Sequence, residues 1–331
     1  MEENLIDRLR RQIEQNWTAA GVWPDFMEAM HRALSVFNRP QADCQTGPAR
    51  LALLPGLCCQ AAGGDPLWAD DLALAWLLLY IAAHLMDSVE DQDEPDAWWA
   101  GLGPGAAINA STGLFFSAAL ALQRLFERPE TRAKAEATSA DFYRSFLTMC
   151  SGQHLDLVHP EPGLEQYWQI VAAKSGTFFA LACRCGARLA AANPTCLEAF
   201  SRFGQHIGCL IQIRDDLGDV TPAHAVGSFS WKPEIRRSLP VVYALQVFPQ
   251  PLGARLRQSL QAAPHSFQAA EEALDLIEQS GAALFISLEV DRHRRLALEA
   301  LAQAMPQPAA AEMLIALIHQ LAPGNQEEEN R

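Results

Sequence analysis

Apolar residues recur three and four positions apart through most of the chain, Ala and Leu dominate, and sustained alternation of β-branched residues is nearly absent. A chain patterned this way buries its apolar faces by packing helix on helix, so the expected fold class is all-α. Breakers cut it into segments of roughly 15 to 30 residues. They are Asn38-Arg39-Pro40, Gly63-Gly64-Asp65-Pro66, Gly101 to Gly105, His159-Pro160-Glu161-Pro162-Gly163, Asn193-Pro194, Thr221-Pro222, Pro249-Gln250-Pro251 and Pro264. The segments Leu72–Met86, Ala106–Leu122, Ile170–Ala192 and Phe203–Ile213 are apolar nearly all round, which predicts helices in the middle of a bundle. No composition shift or fixed-period repeat divides the chain. One domain over residues 1–323 is expected, followed by a disordered acidic tail at 324–331.

Charge narrows the partners. Asp and Glu total 39 against 25 Lys and Arg, a formal charge of −14, and no basic run exceeds two residues, as at Arg10-Arg11, Arg236-Arg237 and Arg294-Arg295. Such a surface repels a phosphate backbone, so nucleic acid is not an expected partner. The N-terminal stretch lacks the apolar core of a signal peptide. The longest nearly apolar run, Leu72 to Met86, falls short of the ~20 residues that span a bilayer, so no transmembrane segment is expected. The eight Cys contain no C-x-x-C pair. Set in apolar helical surroundings, they read as small buried hydrophobes in a reducing cytoplasm and not as a zinc site.

Two clusters of acids carry the chemistry. In the first, Asp87, Glu90 and Asp91 stand at i, i+3 and i+4 at the end of a very apolar helix, on one face. In the second, Asp215 and Asp219 are four apart and Asp216 and Asp219 three apart, with Gln212 one turn earlier. Carboxylates so placed repel one another, and a hard divalent cation with oxygen ligands, Mg2+, relieves the repulsion. A solvated helix end explains either cluster alone. Two clusters, each ending a buried helix, favour metal binding.

The clusters and the segments around them resemble the trans-isoprenyl diphosphate synthases, or polyprenyl synthetases, of the class I isoprenoid synthase superfamily. Gly152-Gln153-His154-Leu155-Asp156-Leu157 is similar to that family's G-Q-x-x-D-L helix, and Tyr167 through Lys174-Ser175-Gly176 to its Y-x6-K-[ST]-G segment. Phe203-Gly204 through Asp219 is similar to F-G-x3-G-x3-Q-x2-D-D-x2-D, and Arg237-Ser238-Leu239-Pro240 to the late K-T-L-P element. The resemblance implies a bundle of ten or more helices around a deep apolar cavity, a homodimer, and Mg2+ held by Asp87, Asp91 and Asp215 with Glu90, Asp216 and Asp219 nearby. It further implies an allylic isoprenoid diphosphate as substrate. Lys174 draws charge onto the leaving diphosphate, and Gln153, Gln212 and Asp156 complete the catalytic set. Tyr167 is explained equally well as a core residue, and Lys174, taken alone, as a surface lysine.

Departures from the family pattern concern phosphate binding. Where the family has G-G-K-R-x-R-P, this chain has Thr46-Gly47-Pro48-Ala49-Arg50-Leu51, leaving Arg50 as the one cation. Tyr80 replaces a His, Ser88 replaces an Asp, and Asp96-Ala97-Trp98-Trp99-Ala100-Gly101 lacks the arginine pair. Each lost charge-assisted hydrogen bond is worth ~1.5–3 kcal/mol, so three losses weaken isopentenyl diphosphate binding by several powers of ten. The expected activity is therefore ionisation of a farnesyl- or geranylgeranyl-type diphosphate without normal isopentenyl elongation. Cyclisation to a terpene is one alternative; transfer to another acceptor is a credible outcome, since relatives that prenylate a tryptophan of competence pheromone peptides have similarly reduced motifs. A weak or non-catalytic regulatory subunit is a further alternative. Ala83, Tyr80, Leu79 and Trp76 fall near one helix face before Asp87, and Trp76, roughly 16 Å down, is the first side chain large enough to close the tail pocket. Outward packing of Trp76 is the competing reading. His84 is expected in the core, hydrogen-bonded, and Arg214 in an ion pair.

Overall fold

The structure, a computed structural model, describes residues 2–34, 51–90, 101, 103–190, 193–220 and 233–322. Its α-helices in chain order are α1 (Glu2–Ala19), α2 (Pro24–Leu34), α3 (Leu54–Ala61), α4 (Asp70–Glu90), α5 (Pro104–Glu127), α6 (Pro129–Val158) and α7 (Leu164–Val171). They continue with α8 (Thr177–Leu189), α9 (Pro194–Val220), α10 (Leu239–Val247), α11 (Gln250–Ala262), α12 (Phe267–Gln279), α13 (Ala282–Ala304) and α14 (Pro308–Leu321). A π-turn, Ala172–Gly176, joins α7 to α8. The all-α expectation, with more than ten helices, holds among the described residues.

Most sequence breakers fall between helices, and Pro194 opens α9. Those at 38–40 and 221–222, and the tail at 324–331, lie outside the described residues. Two boundaries differ from expectation. The apolar run Ile170–Ala192 is not one helix, because the π-turn interrupts it. The unpredicted break between α5 and α6 falls at Arg128, whose φ of −87° and ψ of 128° show the extended backbone imposed on a residue before proline.

The chain divides into two compact units. The first takes residues 1–145, 180–204 and 299–320. Its core includes Trp17, Leu72, Leu74, Trp76, Leu78, Leu79 and Leu85, all buried. Helix α4 packs along α5. The Ser111 hydroxyl donates to the Ala82 carbonyl at 2.8 Å, and the Trp17 indole donates to Ser117 at 2.7 Å. By length and composition alone α4 with its preceding turn and α5 could each cross a membrane, since both continue beyond the apolar runs seen in the sequence. The apolar window of the first is 67% buried, as expected of a core helix. Five of the described thiols, Cys58, Cys59, Cys183, Cys185 and Cys209, are buried as expected, whereas Cys150 is exposed.

The second unit takes residues 146–179, 205–298 and 321–331. Its core gathers Tyr167, Val171, Ile213, Leu239, Val242, Leu256 and Leu276 from α7, α9, α10, α11 and α12. On its α9 and α13 stretches, His206 and His293 bring their Nδ1 atoms to 3.1 Å. One imidazole donates and the other accepts, so both cannot be charged while the contact lasts. Burial, helped by the neighbouring His206 and Arg292, lowers the His293 pKa to about 4. An unfolded chain takes up this proton near 6.5, so below that pH the unfolded state binds more protons and stability falls toward pH 4. This group should remove about 2 kcal/mol of stability between pH 7 and pH 5. Urea midpoints at the two pH values measure it, and His293→Gln should shrink the difference by that amount; an unchanged difference removes His293 from the acid response.

Candidate active site

The second acidic cluster lies in the second unit, on the last turns of α9. Asp216 is 4% exposed, yet its carboxylate meets three donors. The Tyr167 hydroxyl and the Leu239 backbone N–H reach Oδ2, each at 2.7 Å, and the Gln212 amide nitrogen reaches Oδ1 at 2.8 Å. Burial, then the Asp216 charge, pushes the Tyr167 phenol well above its usual range, so it stays protonated and donates. Burial likewise raises Asp216 to about 6, against the pull of Gln212, Tyr167 and Leu239 and with a push from Asp219. Asp216 ties α9 to α7 and to the start of α10, and Tyr167, ambiguous in the sequence, is one of the ties.

Asp215 is placed differently. Water reaches 59% of its side chain, and Arg214 stands 3.7 Å from Oδ1, the ion pair expected for that arginine. Crowding by protein atoms pushes the Asp215 carboxyl up to about 6, Arg214 opposes the shift, and Asp219 adds to it. With so much of the side chain in water, the repulsion from Asp219 is the part that bears on metal binding. Two accessible oxygen-donor side chains one helical turn apart, each disfavouring the other's charge, suit a hard cation such as Mg2+. Among the described residues no group of three His, Cys, Asp or Glu side chains is placed to hold a metal ion by itself.

The π-turn presents the cationic partner. Thr177 closes it, with its backbone N–H and its hydroxyl both directed to the Ala172 carbonyl, the hydroxyl at 3.0 Å. Within the turn, Lys174 Nζ lies 2.7 Å from Asp156 Oδ2. Arg237 stands 3.4 Å from the other oxygen of Asp156 and also donates to its backbone carbonyl at 3.3 Å. One carboxylate thus holds two cations, leaving the trio a net positive charge. The next residue, Ser175, donates to Gln212 Oε1 at 2.7 Å, and the same amide donates to Asp216. A continuous run of hydrogen bonds therefore links the Lys174 turn to the acidic end of α9. Gln153 sits on α6 beside Gly152, which abuts Ala173 and Lys174. Lys174, Asp156, Arg237, Gln212, Asp215 and Asp219 all fall in this one unit. Sequence reasoning met Ser175 and Gly208 only as motif positions and gave neither a role, and it did not reach the Leu239 N–H, since a backbone donor leaves no residue-type signal.

The first cluster lies in the other unit, on the last turn of α4. Asp87 is half-buried, Glu90 is exposed, and Ser88, where the family pattern has an acid, is buried. Asp91 and Arg50 lie outside the described residues. One turn earlier the ring of Tyr80 stacks on His84 with centroids 6.1 Å apart and planes 5° from parallel. His84 is exposed and not the core histidine expected. Trp76 is 1% exposed and Ala83 half-buried on the same helix.

The polyprenyl synthetase family model matches residues 52–277. The chain is 30% identical over 257 residues to a short chain isoprenyl diphosphate synthase of Methanothermobacter thermautotrophicus, covering 74% of this chain and 77% of that one. It is 27% identical over 139 residues to the tryptophan prenyltransferase ComQ of Bacillus subtilis subsp. natto, covering 42% and 41% of the two chains. Its fold is similar to the crystal structure of a geranylgeranyl pyrophosphate synthase from Corynebacterium glutamicum complexed with calcium and isoprenyl diphosphate. The TM-score is 0.71 at 24% identity, over 97% of this chain and 95% of that one.

Proposed function

The chain belongs to the polyprenyl synthetase family, and from that premise we propose that it is a Mg2+-dependent prenyl-transferring enzyme that ionises a linear allylic diphosphate without normal isopentenyl elongation. The observation that carries this reading is the hydrogen-bonded run joining the Lys174–Asp156–Arg237 trio to the acidic end of α9. The trio offers two cations to a diphosphate, and Asp215 and Asp219 offer oxygens to a metal. In this reading residues 1–323 make one catalytic domain, and both acidic clusters contribute to metal binding.

Asp87, Asp91 and Asp215 would hold Mg2+, with Glu90, Asp216 and Asp219 nearby, and Asp216 also braces the helix through its three donors. Bound Mg2+ neutralises diphosphate charge and makes it a better leaving group. The relative complexed with calcium and isoprenyl diphosphate supports a divalent cation. Lys174 and Arg237 orient the diphosphate and take up the negative charge that grows on its bridging oxygen as the allylic C–O bond breaks. The electron pair leaves with the diphosphate, and the cation is left among apolar side chains that exclude water. Gln153 and Gln212 would face the cation or position diphosphate and water.

Elongation needs a second diphosphate site built from basic residues, and here Tyr80 stands where the family has an imidazole, Arg50 is the one cation of the early basic motif, and Asp96-Ala97-Trp98-Trp99-Ala100-Gly101 lacks the arginine pair. The partial match to a tryptophan prenyltransferase supports an acceptor other than isopentenyl diphosphate. We also read the apolar face of α5 with exposed Ile108, Phe116 and Leu120 as the surface of a homodimer, and the buried thiols as fitting a cytoplasmic setting.

The deciding experiment incubates the protein with geranyl, farnesyl and geranylgeranyl diphosphates, each with and without isopentenyl diphosphate. Diphosphate release without the second substrate supports the reading. An efficiently formed longer diphosphate overturns the no-elongation claim, a cyclic hydrocarbon marks a terpene cyclase, and no release at all marks a regulatory subunit. In the same assay Ala83→Phe should shift preference toward geranyl diphosphate if the α4 face down to Trp76 lines the tail pocket.

A further inference from the structure

Helix α9 approaches the π-turn more closely than any side chain permits. A Cβ built on Gly208 would lie 2.3 Å from the Ser175 carbonyl oxygen, 2.6 Å from its carbonyl carbon and 2.9 Å from Gly176 Cα. All three are backbone atoms, so no rotamer change makes room. From the other side, a Cβ on Gly152 of α6 would lie 2.8 Å from Ala173 Cβ and 3.0 Å from Lys174 Cγ. The turn is thus gripped between two bare Cα atoms. A π-turn is in effect a one-residue insertion in an α-helix, and it persists where its surroundings hold it. What it delivers is specific. Lys174 reaches Asp156, and Ser175, the residue whose carbonyl meets Gly208, reaches Gln212. Because the hydroxyl donates to Gln212 Oε1, the amide is oriented with its nitrogen toward Asp216.

We propose that Gly208 and Ser175 are positioning residues: Gly208 admits the π-turn against α9, and the Ser175 hydroxyl then fixes the Gln212 amide, so that Lys174 and the acidic end of α9 are held in one arrangement for the diphosphate. Any side chain at 208 pushes the turn outward. Ser175 then moves off Gln212, the amide is free to rotate, and Lys174 loses its register with Asp156. A single deletion in the turn regularises the helix but rotates Lys174 away. The proposal rests on the proposed function only for its diphosphate readout.

The test uses the full chain and three measurements: thermal unfolding, calorimetric binding of inorganic diphosphate with Mg2+, and amide hydrogen exchange across 172–176. Gly208→Ala should unfold cooperatively, bind diphosphate at least tenfold more weakly and exchange faster across the turn. Ser175→Ala should weaken diphosphate binding with little change in unfolding temperature, and Ser175→Thr, which keeps the hydroxyl, should restore it. Combining Gly208→Ala with Ser175→Ala should weaken binding little beyond Gly208→Ala alone, because both act through one contact. If Gly208→Ala fails to fold, the contrast between Ser175→Ala and Ser175→Thr carries the test. Wild-type diphosphate affinity and turn exchange in folded Gly208→Ala, or equal affinity in Ser175→Ala and Ser175→Thr, overturn the proposal. A wild-type protein that binds no diphosphate sinks the proposed function instead, and exchange across 172–176 in Gly208→Ala still decides the Gly208 contact.

Discussion

Asp215→Ala should lower Mg2+-dependent diphosphate release by about a thousandfold, the loss expected when ~4 kcal/mol of charge stabilisation disappears from the transition state. The fold should survive, because the Asp215 side chain is largely in water and its one described ion pair, to Arg214, is 3.7 Å long and exposed. Its neighbour should respond in the opposite way. Asp216→Ala strands the Tyr167 hydroxyl, the Gln212 amide and the Leu239 N–H, at about 1–3 kcal/mol for each buried donor left without an acceptor. Adjacent aspartates of one motif thus separate a loss of chemistry at constant stability from a loss of stability. Diphosphate release and urea midpoints on the two variants measure the difference. Near wild-type release from both Asp87→Ala and Asp215→Ala would show the metal assignment to be wrong.

That division within one motif marks how far the sequence could be read. Acids at i, i+3 and i+4 place carboxylates on one helical face, but spacing does not say which oxygens face water and which accept from the protein. Asp216 differs from Asp215 through Tyr167, 49 residues away, and through the Leu239 backbone, 23 residues away. Helix class was legible because apolar spacing repeats over many turns, and so were the boundaries at Gly63–Pro66 and Pro249–Pro251, where the breakers act locally. The π-turn was not, since Ala172-Ala173-Lys174-Ser175-Gly176 has no composition that distinguishes it from continuous helix. Its cause lies in α6 and α9, where Gly152 and Gly208 leave room for it. His84 was misread for a related reason: a residue at the end of an apolar helix lies within a turn of the solvent boundary, and one residue of rotation decides on which side it falls.

The acid at the opposite end of α4 should matter far more to stability than Asp215 does. Asp71 is fully buried, with Arg124 at 3.0 Å, Arg128 at 2.7 Å and the Gln12 amide at 3.2 Å, while Asp70 beside it takes Arg8 side-on at 2.7 and 3.0 Å. Burial nevertheless raises the Asp71 pKa, with Arg128 and Arg124 offsetting only part of the shift. The sign matters. A carboxyl raised in the folded state is ionised there at a cost, so the cluster does not stabilise the protein merely by being charged, and this contribution weakens as pH rises through the raised pKa. What the cluster does is make removal of one partner expensive. Asp71→Ala leaves two arginines facing a vacated site, a change that costs about 3–5 kcal/mol when both partners are buried. Water reaches 29% of the Arg124 and 34% of the Arg128 side chain, which puts the expected loss at the lower end of that range. Arg124→Ala added to Asp71→Ala should recover part of the loss by removing one unpaired charge, a non-additivity that urea denaturation at pH 7 can measure. Asp71 joins α4 to α1 and α5, roughly 24 Å along the helix from Asp87 at 1.5 Å per residue. Asp71→Ala should therefore lose diphosphate release in step with its folded fraction, whereas Asp215→Ala loses it while folded.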